Sequence, residues 1–197
     1  MAHTRLILAS GSPRRRELLA EAGYRFEVVR PELEEPELDE DLGPEGTAEA
    51  LAYFKARAAA DAADPSQVIL GADTVVALGR QIFGKPRDAD HARTMLRLLS
   101  HNRHRVITGV ALLKVDDRLF RRIDREITHI TMKPMSEDQI EEHLRTTDWR
   151  DKAGAYAVQE QADRYVMRYE GSFTNIVGLP MELVNRILAA EGIVPER

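Results

Sequence analysis

An apolar run that leads directly into an arginine-rich turn constrains this chain more than any other feature. The run Leu6–Ala9 has the composition of a buried strand, and the apolar periodicity that resumes at Leu18 is typical of a helix. Between them, Ser12 suits the position before a helix, and Pro13 suits its first turn, where a missing N–H costs nothing. The segment therefore predicts a strand, a tight turn and a helix N-terminus.

Three arginines, at positions 14–16, fall in the first turn of this predicted helix. A helix N-terminus carries a positive partial charge and free N–H groups, so it attracts anions and disfavours neighbouring cations. An anion bound between the arginines and the helix end removes that conflict. The segment therefore indicates a phosphate site, and a phosphate site suggests a nucleotide ligand.

Composition restricts the other function classes. Among 197 residues there is no cysteine, which excludes disulfides, thiolate zinc sites and a cysteine nucleophile. No apolar run is long enough to span a membrane, and no signal peptide is apparent, so we expect a cytoplasmic protein. The formal net charge of −5 disfavours extended nucleic-acid binding, although arginines cluster locally at 14–16 and 121–125.

The pattern of apolar residues alternates between strand and helix periodicity along the chain. It predicts strands at 5–9, 24–29, 68 to about 73, 82–83, 105–115, 119–132 and 165–169. It predicts helices at 13–22, 47–63, 88–99, 136–144 and 180–190, with Thr47 and Asp88 as N-caps. We therefore expect an α/β fold with a mixed, twisted sheet and flanking helices, formed by residues 1–197 as one domain.

Asp73 is predicted to stand where the buried strand that starts at residue 68 emerges. Ligand sites in open α/β sheets collect at the carboxyl ends of strands, where an aspartate can bind Mg²⁺ or act as a general base. A turn or helix-cap aspartate is the alternative, and the local pattern favours the two about equally.

Other polar residues carry weaker signals when each is taken alone. Lys55, on a predicted helix, is typical of a solvated lysine, whereas Lys85 has its turn fixed by a flanking glycine and proline. Glu35 belongs to an acidic run that is typical of a solvated loop. Gln159 is either an amide that reads a base edge or a surface residue. The polar segment 171–179 is either a second anion site or a capped turn.

These segments, taken in order, resemble the Maf family over residues 5–190. Each motif alone is a weak signal, but the ordered set is specific. The motifs are Leu8-Ala9-Ser10-Gly11-Ser12-Pro13-Arg14-Arg15, Lys55-Ala56, Gly71-Ala72-Asp73-Thr74-Val75-Val76, Gly84-Lys85-Pro86, Asp151-Lys152-Ala153-Gly154-Ala155-Tyr156 and Glu170-Gly171-Ser172 with Asn175 and Val177-Gly178-Leu179-Pro180. The resemblance implies a nucleoside triphosphate pyrophosphatase with two lobes around a cleft, similar to the inosine triphosphate pyrophosphatases.

The resemblance also implies roles for individual residues. Asp73 matches the family's proton acceptor, and further active-site positions match Ser12, Glu35, Lys55 and Lys85. Lys55 and Lys85, with the arginines, would neutralise the triphosphate. Arg14 or Arg15, Thr74 and Gln159 match the specificity positions.

The loop 155–159 and the segment 172–175 resemble the branch that hydrolyses dTTP and UTP, because the branch that hydrolyses 7-methyl-GTP usually carries a glutamate near the position of Gln159. The implied cofactor is Mg²⁺ or Mn²⁺, with Co²⁺ as a further candidate, held by Glu35 and Asp73. A homodimer is the family-like expectation. The alternatives are a pyrophosphatase for 7-methyl-GTP or modified nucleotides, and a non-catalytic nucleotide-binding regulator of cell division, which needs the arginines but not Asp73.

Overall fold

The structure is a computed structural model that describes residues 6–31, 36, 40–64, 66–114, 120–146, 149–150, 152–156 and 164–196. Within these residues, seven strands form one sheet: β1 (Leu6–Ala9), β2 (Phe26–Val29), β3 (Val68–Leu78), β4 (Gln81–Phe83), β5 (Arg103–Lys114), β6 (Arg121–Met132) and β7 (Val166–Glu170). The helices are α1 (Pro13–Glu21), α2 (Gly43–Ala59), α3 (Ala89–Leu99), α4 (Glu137–Arg145), α5 (Phe173–Val177) and α6 (Met181–Ala190).

The sheet is mixed, as the sequence predicts. Its strand order is β2-β1-β3-β5-β6-β7, and the short strand β4 pairs with β3. Strand β1 pairs in parallel with both β2 and β3, whereas β3, β5, β6 and β7 pair with one another in antiparallel fashion. The predicted α/β class is therefore confirmed. The link between the strands predicted at 105–115 and 119–132 lies outside the described residues, and the single domain over residues 1–197 stays a prediction.

Strand β3 does not end at Asp73, contrary to the prediction. It continues to Leu78 because β5 pairs with it in antiparallel register from Val68 to Ala77. Its other neighbour, β1, ends where Ala9 pairs with Gly71. The described residues supply no further strand on this edge of β3 until β4 begins to pair at position 76. Asp73 therefore stands beside the carboxyl end of β1, at an open stretch of a strand that continues past it.

Helix α2 begins at Gly43, four residues before the predicted N-cap Thr47. A 3₁₀ turn over Glu40–Leu42 leads directly into it, and Pro44 occupies the first helical turn, where its fixed φ is favourable. The Thr47 hydroxyl donates to the Gly43 carbonyl at 2.8 Å, one turn back, instead of capping. The prediction was wrong because the preceding acidic, proline-containing segment is typical of a loop.

Two glycines allow α2 to lie directly on the sheet. A Cβ built on Gly71 of β3 would stand 2.4 Å from the Ala52 carbonyl oxygen, and one on Gly109 of β5 would stand 2.2 Å from the Ala48 carbonyl oxygen. Both alanines are fully buried. The helix backbone is therefore in contact with both strands, and this contact sets the position of Lys55 on the same helix.

The core on the α6 side of the sheet has two separate apolar clusters along the long strands. One cluster packs α1 and α6 against the first part of β3, around Leu70 and Leu112. The other packs α3 and α4 against the far part of β3, β5 and β6, around Val76, Val106 and Ile130. These clusters give the molecule its two lobes, with a cleft beside them. Among the described residues, no helix combines the length and apolar character that crossing a bilayer requires.

Candidate active site

A cleft of about 1060 Å³ opens where β1 ends, and it collects those charged residues of the predicted site that the structure describes. The described side chains that line it include one carboxylate, Asp73, and six cations: Arg14, Arg15, Arg30, Lys55, Lys85 and Lys152. The chain as a whole carries a formal charge of −5. Positive charge is therefore concentrated in this cleft against the sign of the whole molecule, which favours a polyanionic ligand.

The first wall of the cleft is the predicted strand, turn and helix start. Ser12 occupies the N-cap position in an extended conformation and Pro13 begins α1, so this prediction is confirmed. Ser12 makes no side-chain capping bond, and its own N–H donates to the Ser10 hydroxyl at 3.1 Å. Ser12 and Arg14 are half-buried and line the cleft. The helix N-terminus therefore faces the position where an anion would bind.

Arg15 is buried, and its guanidinium bonds mainly to the protein itself. Its Nε donates to the Gly178 carbonyl at 2.8 Å and its Nη1 to the Ala72 carbonyl at 2.7 Å. Nη1 also reaches the Ser10 hydroxyl at 3.5 Å, and Nη2 donates to Thr74 Oγ1 at 3.1 Å. Burial lowers the pKa of Arg15, an effect that the charge of Asp73 opposes. Partners among the described residues thus engage four of the five N–H groups, and one on Nη2 remains for a ligand.

Asp73 forms an ion pair with Lys55, and both side chains are mostly buried. The pair joins β3 to α2, which lies close to the sheet because of the glycine contacts described above. Thr74 follows Asp73 in the same strand, so its side chain points to the opposite face, where Arg15 lies. The open edge of β3 therefore presents a carboxylate on one face and a hydroxyl with a guanidinium on the other.

Lys85 and Lys152 come from separate loops that a backbone hydrogen bond joins. The Gly154 N–H donates to the Gly84 carbonyl at 3.1 Å. Gly154 has a φ of +74°, and a Cβ there would stand 3.1 Å from side-chain atoms of Leu99 and Tyr156. Both lysines line the cleft. Lys152 and Arg30 are not among the predicted site residues, although Lys152 belongs to the motif at 151–156 and Arg30 directly follows β2.

Tyr156 anchors the second loop to the core. Its hydroxyl lies 2.5 Å from Nε2 of His104, and the two rings meet edge to face with centroids 5.5 Å apart. His104 is 1% exposed, and burial lowers its pKa to about 4. Burial also raises the pKa of the Tyr156 hydroxyl, so both groups are neutral near pH 7. The pair fixes the point from which the chain continues toward Gln159.

Acid is expected to destabilise the fold through His104. Because its pKa falls from 6.5 to about 4 on folding, the unfolded chain binds the proton more readily over that interval. The fold therefore has its full stability, as far as His104 is concerned, above pH 6.5. The free energy of unfolding falls by about 3 kcal/mol as the pH drops to 4. Urea unfolding of wild type and His104→Gln at both pH values measures it, with the exposed His101→Asn as the control. An equal acid loss in wild type and His104→Gln would contradict the expectation.

Two predicted residues, Glu35 and Gln159, lie outside the described residues, so the structure does not place them. The described residues contain no group of three or more side chains that could hold a metal ion. Mg²⁺ in nucleotide enzymes commonly takes one or two carboxylates and completes its shell with phosphate oxygens and waters. Asp73 in a cationic cleft fits a cation that binds together with the phosphates.

The segment 171–179 contains a capped turn, which is one of its two predicted interpretations. It contains the short helix α5, which is not among the helices that the sequence predicts. The Ser172 hydroxyl accepts from the Asn175 N–H at 3.2 Å. The Ser172 and Thr174 hydroxyls donate to the Glu182 carboxylate at 2.8 and 3.1 Å. The hydrogen bond from its own backbone N–H, followed by those from the Ser172 and Thr174 hydroxyls, lowers the pKa of the Glu182 carboxyl. An internal anion therefore already occupies this position.

Comparisons with known proteins give independent information about the whole chain. The Maf-like protein family matches residues 5–191. A dTTP/UTP pyrophosphatase of Alkaliphilus oremlandii is 44% identical over 177 residues, which cover 89% of this chain and 90% of the relative. A dTTP/UTP pyrophosphatase of Cereibacter sphaeroides is 43% identical over 192 residues and 95% of each chain. The solved Staphylococcus aureus Ham1 protein, 14% identical, has the same fold, with a TM-score of 0.55 over 95% of this chain and 100% of that one.

Proposed function

Since this chain belongs to the Maf family, we propose that it hydrolyses dTTP and UTP to the nucleoside monophosphate and pyrophosphate. The cleft carries the proposal, because six cations surround a single carboxylate among its described lining residues. A triphosphate supplies the negative charge that such a cleft requires. Relatives named dTTP/UTP pyrophosphatase, 44% and 43% identical and covered over nearly their whole length, support the choice of nucleotides.

Asp73 is the proposed general base. Its carboxylate takes a proton from water as the water oxygen attacks the α-phosphorus, and the bond from the α-phosphorus to the bridging oxygen breaks. The pyrophosphate leaves with the electron pair of that bond. Lys55 is in contact with Asp73 and orients its carboxylate. General-base assistance of this kind contributes about a hundred- to ten-thousand-fold to a rate.

Arg14, Lys85 and Ser12 are the proposed phosphate contacts. Arginine donates two parallel bonds to phosphate oxygens, whereas lysine acts as a compact charge, so the two types of side chain complement each other. The remaining Nη2–H of Arg15 adds one further donor. Arg14 or Arg15, Thr74 and Gln159 are the proposed specificity residues. These cations would also neutralise the charge that develops on the leaving pyrophosphate.

A divalent cation, Mg²⁺ or Mn²⁺ with Co²⁺ as a further candidate, completes the proposal. Asp73 and Glu35 would hold it. When bound, such a cation supplies Lewis-acid polarisation of phosphoryl oxygens. The ion pair with Lys55 is compatible with Asp73 as a general base and with Asp73 as a metal ligand. A metal titration of Asp73→Asn distinguishes the two roles.

Pyrophosphate release from a panel of nucleotides tests the proposal. The panel contains dTTP, UTP, CTP, dCTP, GTP, ITP and 7-methyl-GTP, each with Mg²⁺, Mn²⁺ or Co²⁺. We expect the highest kcat/KM with dTTP and UTP. A preference for 7-methyl-GTP would support the proposed reaction but contradict the proposed choice of dTTP and UTP as substrates. Tight nucleotide binding without any release would instead favour the non-catalytic regulator.

Three further expectations stay predictions: a homodimer, a cytoplasmic location and the absence of nucleic-acid binding. Sedimentation of the purified chain tests the first. A gel shift at low salt tests the third, because binding through local arginine clusters would weaken steeply as salt is raised.

A further inference from the structure

Three buried polar residues separate the two apolar clusters of the core. Thr108 of β5, Thr128 of β6 and Asn175 of α5 are each 0% exposed. On β5, Thr108 stands between Val106, which belongs to one cluster, and Val110, which belongs to the other. Polar groups buried this deeply require hydrogen-bond partners, so their bonds are informative.

Asn175 and Thr128 hold α5 against the sheet. The Asn175 Nδ2 donates to the Val106 carbonyl at 3.0 Å and to Thr128 Oγ1 at 2.9 Å, and the Thr128 hydroxyl donates to the Ser172 carbonyl at 3.0 Å. The chain that leaves α5 supplies the Gly178 carbonyl, which accepts from Arg15. These bonds connect the core to the cleft through the backbone.

Thr108 connects the same core to the cleft through a side chain. Its Oγ1 lies 2.9 Å from Thr74 Oγ1 and 3.3 Å from the Asn175 carbonyl oxygen. A carbonyl only accepts and a hydroxyl has one proton, so both contacts are hydrogen bonds only if Thr108 donates to Asn175 and Thr74 donates to Thr108. Thr74 then directs its proton into the protein.

The oxygen of Thr74 is left as an acceptor at the cleft wall. One lone pair accepts from Arg15 Nη2 at 3.1 Å, and the other, which no donor in the described part of the chain occupies, is available to a ligand. The other carbonyl near Thr74, that of Gly178, lies at 3.5 Å, which is longer than an ordinary O–H···O hydrogen bond, so it holds this proton only weakly. With Thr108 as the acceptor, Thr74 offers the cleft no donor.

We propose that Thr108 is a positioning residue that holds Thr74 as a hydrogen-bond acceptor, so that Thr74 selects bases that present an N–H donor. The inference rests on the proposed function. Uracil and thymine carry a proton on N3, whereas N3 of cytosine is an acceptor. A cytosine placed against Thr74 would bring two acceptors together, which leaves both unsatisfied.

The test is the ratio of kcat/KM for UTP to kcat/KM for CTP, measured by pyrophosphate release. We expect wild type and Thr108→Ser to share a ratio that favours UTP. Thr108→Val keeps the shape of the side chain but frees the Thr74 proton, so Thr74 can then donate to cytosine. The ratio should fall roughly tenfold, the effect of one hydrogen bond of ordinary strength. Thr128→Val removes a buried hydroxyl that does not touch Thr74, so it should lower stability and leave the ratio unchanged.

Three results would overturn the inference while pyrophosphate release stands: a wild-type ratio near one, an unchanged ratio in Thr108→Val, or an equal fall in Thr128→Val. The first of these needs no variant, so it applies even if Thr108→Val does not fold. Absence of release from both nucleotides in wild type would remove the proposed function together with the inference.

Discussion

Asp73→Asn is expected to lower kcat for pyrophosphate release by about a hundred- to ten-thousand-fold. The amide keeps the size of the carboxylate and can still contact Lys55, but it cannot take a proton from the attacking water. It also binds a divalent cation more weakly, since hard cations prefer carboxylate oxygens. The measurement is a single-turnover assay with dTTP at saturating metal.

Controls must separate the chemistry from the fold and from binding. Asp138→Asn changes the same functional group at an exposed position of α4 and should retain full activity. Affinity for a non-hydrolysable dTTP analogue, measured by calorimetry, should fall far less than kcat in Asp73→Asn. A variant that retains most of its kcat would rule out Asp73 as the base.

The two roles proposed for Asp73 predict different dependences on metal. If Asp73 is chiefly a base, raising the metal concentration will not restore the rate of Asp73→Asn. If it is chiefly a ligand, the rate will recover in part as the metal concentration rises. The titration therefore distinguishes the roles in one variant.

Gly109→Ala is expected to destabilise the fold by about 3 kcal/mol or more, at the upper end of what overpacking costs. The added Cβ would stand 2.2 Å from the Ala48 carbonyl oxygen and 2.4 Å from the Ala48 carbonyl carbon. Both atoms belong to the backbone of α2, so the whole helix must move away from β5. Lys55 moves with that helix, and its contact with Asp73 should be lost together with activity.

Urea unfolding measures the first effect, and pyrophosphate release from the folded fraction measures the second. Gly84→Ala is the control for stability, because a Cβ there meets no atom of the described residues within 4 Å. That substitution should change the free energy of unfolding by about 0.5 kcal/mol or less. A Gly109→Ala protein with wild-type stability would show that α2 does not lie directly on the sheet.

The local amino-acid pattern determined most helices and strands of this protein and many of the residues proposed for its chemistry. The strand, turn and helix start around Ser12 and Pro13 follow from residue preferences that act over a few positions. Asp88 caps α3 and Ser136 caps α4 for the same reason. The resemblance to the Maf family came from motif order, and the family match confirmed it.

Tertiary contacts decided what local pattern could not. Strand β3 runs through Asp73 because β5 continues to pair beside it, and α2 starts early because a 3₁₀ turn and Pro44 lead into it. No local signal distinguishes Arg14 from Arg15, yet Arg14 is half-buried at the cleft, whereas Arg15 is buried and its guanidinium donates to Gly178, far along the chain.

The hydrogen bonds that lie between the two apolar clusters likewise depend on tertiary structure, because Thr108, Thr128 and Asn175 come from β5, β6 and α5. The sequence gives Thr108 no special feature for a strand residue. Its contacts with Thr74 and Asn175 in the folded chain determine that its hydroxyl donates to the Asn175 carbonyl. Residue type and spacing thus determined which groups this chain has for its chemistry. The tertiary structure decided which donors remain for a ligand, because a hydrogen bond made inside the fold removes its proton from the cleft.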